Sequence, residues 1–278
     1  MDFLQVVGDR RTIRWFKSWE QVPTEKIQRI LEAVRLSTCP GNLQPWRAVV
    51  VVRDELDDAI RDELLAVDNW QGGHTQAPVW IYWYCDPGVC RPENFAARTV
   101  ELVEVGALPR AYGWNADTIK AAIEEAVETP EGMASIQELI HGLPEEISVV
   151  VAMNETVGAL NLAVLAAVNE GLGTALNMIA RPTKQDRVKE ILGVPARCVP
   201  VWCQLVGYPA ENPNAGGQRP RDPFGELFFK GSWGTPFPRD EGVVDDLRSE
   251  GLLQDSAPVQ SRFEELRSLA RMYGYPEA

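Results

Sequence analysis

Apolar residues recur at helical spacing in some stretches of the chain and form short unbroken β-branched or aromatic runs in others. Ile27, Ile30, Leu31 and Val34 follow the i, i+3, i+4, i+7 rule, so residues 21–37 read as an amphipathic helix. Pro23 stands where a first-turn proline is tolerated, and Glu25 suits a helix start. Thr38-Cys39-Pro40-Gly41-Asn42 ends it, because proline and glycine punctuate and the residue before a proline avoids the helical region. Trp46 to Val52 predicts a strand, and its unbroken Val49-Val50-Val51-Val52 predicts burial on both faces. Asp54 to Ala66 reads as a helix, and Pro78 to Tyr84 as an aromatic strand. Thr156 to Gly171 is a strongly apolar helix closing on the turn Gly171-Leu172-Gly173. Val199 to Val206 is a third strand, and Pro258 to Tyr273 a C-terminal helix with Ser256 as its cap. Pro87 to Ser148 carries short helical pieces, such as Thr118–Glu128 and Ser135–His141, and reads as an insertion over the core. Helices and strands mix without regular alternation, which predicts an α+β fold. The whole chain, 1–278, reads as one domain with an insertion at about 87–148 and a C-terminal extension at about 230–278.

Charge narrows the range of partners. The 278 residues hold 27 Lys and Arg against 40 Asp and Glu, a net charge of −13. Such a surface repels nucleic acid and anionic membrane, so neither is an expected partner. An anionic ligand would need a local island of positive charge. The longest uncharged apolar run, Thr156 to Asn169, is too short for a bilayer, and the N-terminus lacks a basic stretch leading into an apolar one. The five cysteines, Cys39, Cys85, Cys90, Cys198 and Cys203, are odd in number and match no common zinc spacing. They predict reduced thiols packed as small hydrophobes, no metal site and a cytoplasmic protein.

Two basic islands stand out against this acidity. Residues 9–17 contain Arg10, Arg11, Arg14 and Lys17 with Thr12 between them. In a helical turn 10 and 14 would share a face, with Arg11 beside Arg14, giving a clamp of guanidinium forks for phosphate; a solvated basic face has the same composition. The second island is Gln218-Arg219-Pro220-Arg221, with no acid between Glu211 and Asp222. In a third segment, Pro40-Gly41-Asn42-Leu43-Gln44-Pro45-Trp46, the amides of Asn42 and Gln44 suit the polar edge of a planar ring, although an ordinary helix-to-strand turn reads alike.

Arg10-Arg11-Thr12-Ile13-Arg14-Trp15-Phe16, the helix from Val22, and Asn42-Leu43-Gln44-Pro45-Trp46 running into a valine-rich strand resemble the N-terminal half of the nitroreductase family of FMN-dependent oxidoreductases. Further similarities follow in order: the apolar helix Asn161 to Gly171, then Gly171-Leu172-Gly173-Thr174, Leu192-Gly193-Val194-Pro195, and Gly207-Tyr208-Pro209-Ala210. The resemblance spans about residues 2–81 and 156–228. It implies a central mixed, mainly antiparallel sheet flanked by helices, and an intertwined homodimer with FMN at the interface. It also implies ping-pong chemistry, in which NADH or NADPH gives hydride to flavin N5 and a small acceptor then takes the electrons. By motif, Arg10, Arg11, Thr12 and Arg14 would hold the phosphate and ribityl end, with Arg219 and Arg221 completing the clamp. Thr38, Cys39, Pro40, Asn42 and Gln44 would come to the ring from the other subunit. Leu176, Asn177, Met178 and Ile179 would offer backbone N–H near flavin N5 and O4. Many members have serine at the Cys39 position and glycines at 177–179. Asn69 and Gln71 are candidates for a further ring contact. Because the flavin carries the redox step, no catalytic side chain is required, and His74 and His141 read as non-catalytic. The acceptor would be flat, a nitroaromatic or a quinone. The insertion would set substrate choice; its Phe95, Tyr112 and Trp114 either stack on a flat substrate or pack the insertion onto the core. Other readings of the same pocket are a flavin-dependent dehydrogenase, a reductive dehalogenase, or a flavin-binding protein without turnover.

Overall fold

The computed structural model describes residues 2–69, 73–108, 117, 145–255 and 259–276. The expected helices at Thr118–Glu128 and Ser135–His141, together with Gln71, Tyr112, Trp114, His141 and the cap Ser256, lie outside the described residues.

The sheet has four strands, β1 (Trp46–Val52), β2 (Val79–Cys85), β3 (Gly173–Asn177) and β4 (Val199–Gly207), in the order β1-β2-β4-β3. Every neighbouring pair is antiparallel. The mixed character comes from one parallel bridge, Thr12 to Thr174. All seven residues of β2 are buried. Strand alternation sends Val79, Ile81 and Trp83 to one face and Trp80, Tyr82 and Tyr84 to the other. Helices α2 (Thr24–Arg35) and α5 (Glu145–Asn169) cover the first face, with Ile27, Ile30, Val34, Ala159, Leu160 and Ala163. Helices α3 (Asp58–Asp68) and α6 (Gln185–Leu192) cover the second through Leu64 and Val188. Among the described residues the other longer helices are α1 (Phe3–Asp9), α4 (Pro92–Glu104), α7 (Glu241–Ser249) and α8 (Val259–Met272), with a single helical turn at Phe224–Leu227.

Three expectations change here. Burial on both faces belongs to β2, whereas β1 is an edge strand in which Val51 is buried but Val49, Val50 and Val52 only partly so. The long apolar helix begins earlier than its uncharged run, because Glu155 is the sole charge between Ile147 and Asn169. That segment is long and apolar enough to cross a membrane by length and composition. It serves as a core helix, with Ala152, Thr156, Ala159, Leu160, Ala163, Val164 and Ala167 buried. Finally, α1 ends at Asp9, and Arg10 is already extended at φ −60°, ψ 120°. Residues 10–16 therefore run as an extended segment rather than a helical turn. All five cysteines are free thiols, as their scatter predicts, and four of them are buried.

Candidate functional site

The extended 10–16 segment is docked on the sheet by backbone bonds. Ile13 N–H donates to Thr174 at 3.0 Å, Lys17 N–H to Tyr208 at 2.9 Å and Ala210 N–H to Trp15 at 2.9 Å. Two glycines permit this approach. A Cβ on Gly173 would lie 2.8 Å from Ile13 Cγ1, and one on Gly207 3.1 Å from Phe16 Cδ1. The segment then alternates as a strand does. Arg11 and Ile13 turn inward, while Arg10, Thr12 and Arg14 turn to the other side.

Arg11 is thereby corrected from clamp to scaffold. It is 6% exposed. Its guanidinium donates to the carbonyls of Gly8 and Arg10 at 2.6 and 3.0 Å, to Asn214, and to Gln254 at 2.6 Å. Those bonds occupy the fork. The charge of Arg219 reaches Arg11 too, and Arg10 is brought against both arginines of the second island. Its pKa is lowered first by burial and then by the charges of Arg221 and Arg219. Arg219 donates to the carbonyls of Gly217 and Ala215, and Arg221 to that of Pro220. Arg14 reaches the Thr12 carbonyl at 3.5 Å. Among the described residues none of these four pairs with an acid. Two clusters about 200 residues apart in sequence thus form one repelling cationic group, the arrangement an anion stabilises.

Beside Thr12 and Arg14 opens a cavity of about 940 Å³. Ile13, Ala175, Leu176 and Leu205 line it with apolar atoms, and Gly73, Gln76 and Asn177 add polar edges. Its outer wall is α8 and the tail after it, through Phe263, Leu266, Arg267, Ala270, Tyr275 and Pro276. The described part of the 87–148 segment contributes nothing to this wall. It lines instead a smaller cavity of about 400 Å³ through Val89, Asn94, Ala97, Arg98 and Glu101, together with Leu43, Gln44 and Arg47.

The remaining candidates divide. Leu176 and Asn177 face the cavity. Met178 is part-exposed and Ile179 is fully buried in the core, so neither side chain lines it. Asn69 caps α3 and accepts a hydrogen bond from His74 N–H. Thr38, Cys39, Pro40, Asn42 and Gln44 lie outside the cavity of their own chain. Their turn packs against α4, where a Cβ on Gly41 would come within 2.7 Å of Phe95. Gln44 bonds Asn42 Oδ1 at 2.9 Å, and both residues have positive φ. Gln44 N–H donates to Cys39 Sγ at 3.2 Å, and burial pushes the Cys39 thiol up. At pH 7.5 iodoacetamide should therefore label Cys39 several-fold more slowly than a free thiol, read by peptide mass spectrometry. Labelling at the free-thiol rate would show an ionised, open sulfur.

Sequence reasoning missed Glu211. It is 2% exposed, accepts from the N–H groups of Arg14 and Trp15, and ion-pairs with Arg262 of α8. In the sequence it served only to mark the edge of an acid-free stretch.

Known proteins share this fold. A curated protein of Thermus thermophilus described as an NADH dehydrogenase is 27% identical over 202 residues, covering 73% of this chain and 84% of its own length. A crystal structure from Exiguobacterium sibiricum, assigned as a nitroreductase in complex with FMN, superposes with TM-score 0.60 at 20% identity, covering 80% of this chain and 94% of its own. One from Staphylococcus epidermidis, assigned as an NAD(P)H:FMN oxidoreductase, superposes with TM-score 0.62 at 17% identity, covering 82% and 94%. The sequence model of the Nitroreductase family matches residues 7–208, most of the chain, and the protein belongs to that family.

Proposed function

We propose that the cavity and the arginine group beside it form one half of an FMN site, at which the protein acts as an NAD(P)H-dependent oxidoreductase toward a small flat acceptor. The observation that carries this is the meeting of Arg10 with Arg219 and Arg221, unpaired with acid among the described residues, on a segment whose Thr12 and Arg14 line a largely apolar slot. A phosphate dianion offsets their mutual repulsion and accepts their forked donors. Bound there, FMN would supply the hydride-transfer chemistry between NAD(P)H and the acceptor. The chain supplies position and environment. Thr12 offers a hydroxyl beside the cation group. Arg14 sets a positive charge in the cavity wall, where it offsets negative charge developing on the bound ligand. Ile13, Ala175, Leu176 and Leu205 exclude water from the slot. Phe263, Leu266 and Tyr275 lie beyond the matched family span, so we assign acceptor choice to α8 and its tail as well as to the 87–148 segment.

The second half of the site would come from a second copy of the chain. Two features support a homodimer. Helix α5 leaves Ile147, Val150, Val157 and Leu162 exposed on the side away from the sheet. The 38–44 turn, with its strained Asn42 and Gln44, meets no part of its own cavity. Anaerobic titration of the FMN-loaded protein with NADH and NADPH tests the reading. Flavin absorbance should bleach with at least one donor and return on adding a nitroaromatic or a quinone. Absorbance unmoved by either donor would leave a flavin-binding protein without turnover.

A further inference from the structure

On the α3 side of the sheet lies a buried polar cluster that flavin chemistry does not use. Asp68 ends α3, His74 follows in the next loop, Cys203 sits in β4, and Tyr82 and Tyr84 come from β2. Each is 0–1% exposed. His74 Nε2 lies 3.3 Å from Asp68 Oδ2 and 3.4 Å from Cys203 Sγ. One ligand atom from each of Asp68, His74 and Cys203 falls within 4.8 Å of the others. The other carboxylate oxygen, Asp68 Oδ1, accepts from Ala180 N–H, which fixes the group's orientation.

This cluster also concentrates the molecule's unsatisfied polar atoms. Among the described residues the buried side-chain atoms without a hydrogen-bond partner are Asp68 Oδ2, His74 Nδ1, Tyr82 Oη and Tyr84 Oη. All four belong to it. Such atoms are scarce in folded proteins, and each is destabilising when nothing meets it. Asp68 Oδ2 is the one of the four that a metal held by Asp68, His74 and Cys203 would meet, and the Tyr82 hydroxyl lies beside that carboxylate and the Cys203 thiol. Tetrahedral zinc, with bonds of about 2.0–2.3 Å to nitrogen, oxygen and sulfur, holds neighbouring ligand atoms roughly 3.3–3.6 Å apart. The two separations from His74 Nε2 match this, and all three ligand atoms lie within 4.8 Å of one another. A carboxylate and a thiolate also balance a dication around a neutral imidazole, so the loaded site is electroneutral and tolerates burial.

We propose that Asp68 Oδ2, His74 Nε2 and Cys203 Sγ bind a divalent transition metal of the zinc class, as a structural site separate from the flavin half-site. Loading transfers the Cys203 thiol proton to solvent and forms one metal–sulfur bond, with no change of oxidation state. The metal ties the end of α3 and the following loop to β4. That loop carries Gly73 and Gln76 to the cavity wall, and Gln76 Oε1 accepts from Phe16 N–H, so the tie also holds the floor beneath the 10–16 segment. The sequence conceals the site, because its three ligands are separated by 6 and 129 positions and no cysteine or histidine pair shows metal spacing.

The test is metal content of purified FMN-loaded protein after zinc loading and desalting. Wild type and Cys198→Ala should each retain about one equivalent per chain, while His74→Ala and Cys203→Ala should retain less than about a tenth of that. Flavin content and circular dichroism report whether each variant folds. Should both variants fail to fold, cobalt loading of wild type decides: a thiolate-to-cobalt charge-transfer band is expected in the difference spectrum against unloaded protein. Wild type that holds no zinc and shows no such band overturns the site and leaves a buried water as the guest. Retention undiminished in both folded variants overturns it equally.

Discussion

Arg221→Ala should weaken FMN binding about ten- to hundredfold, because it removes a charge-assisted contact of roughly 1.5–3 kcal/mol. Arg221 is exposed and held only by a bond to the Pro220 carbonyl, so its charge is available to a ligand. It lies close enough to depress the pKa of Arg10. Removing it from ligand-free protein therefore relieves repulsion, and the apo form should be as stable as wild type or slightly more so. That combination, weaker binding without lost stability, separates a ligand contact from a scaffold contact. Arg11→Ala should do the reverse. Its guanidinium is spent on Gly8, Arg10, Asn214 and Gln254, so the loss falls on folding. Fluorescence titration of apoprotein with FMN, beside urea unfolding of the same samples, measures both quantities. A larger affinity loss in Arg11→Ala than in Arg221→Ala would exchange the two roles. Raised salt should narrow the gap between wild type and Arg221→Ala, since an exposed charge is screened.

That contrast also shows what the sequence could carry. Two arginine islands in an acidic chain were legible as concentrated positive charge, because uncompensated charge needs no structure to be noticed. Which arginine served which purpose was not legible. The choice depends on the backbone period, and residues 10–16 have too few apolar positions to distinguish 3.6 from 2. Once the segment is extended, Ile13 fixes the inward face, and Arg11 has to follow it. Strands β1, β2 and β4 were readable from their β-branched and aromatic runs. Strand β3, Gly173-Thr174-Ala175-Leu176-Asn177, was not, because small residues with a leading glycine resemble a turn. Its strand character comes from pairing with β4, a tertiary effect. The end of the C-terminal helix was predicted within a residue, yet the helix's place on the cavity depends on contacts far apart in the chain.

The strongest of those contacts is Glu211, and Glu211→Ala should destabilise the protein by about 3–5 kcal/mol, the usual cost of breaking a buried ion pair from one side. The loss has two parts. Arg262 keeps Glu265, on its own helix, so α8 loses one of its ties to the body of the protein, while the bonds from Asn212 N–H to Glu265 and from the Tyr273 hydroxyl to the Phe16 carbonyl remain. The N–H groups of Arg14 and Trp15 lose their acceptor, so the segment presenting Thr12 and Arg14 to the cavity is freed as well. Glu211→Gln separates the two. Its amide oxygen still accepts from the backbone, but it no longer carries the charge that pairs with Arg262. We expect about half the stability loss for Gln, judged from urea midpoints at unchanged slope, and FMN affinity closer to wild type than in Glu211→Ala. If glutamine and alanine prove equally poor on both measures, the ion pair to α8 is what holds the 10–16 segment. If glutamine matches wild type on both, the backbone bonds alone suffice and the charge on Glu211 is dispensable.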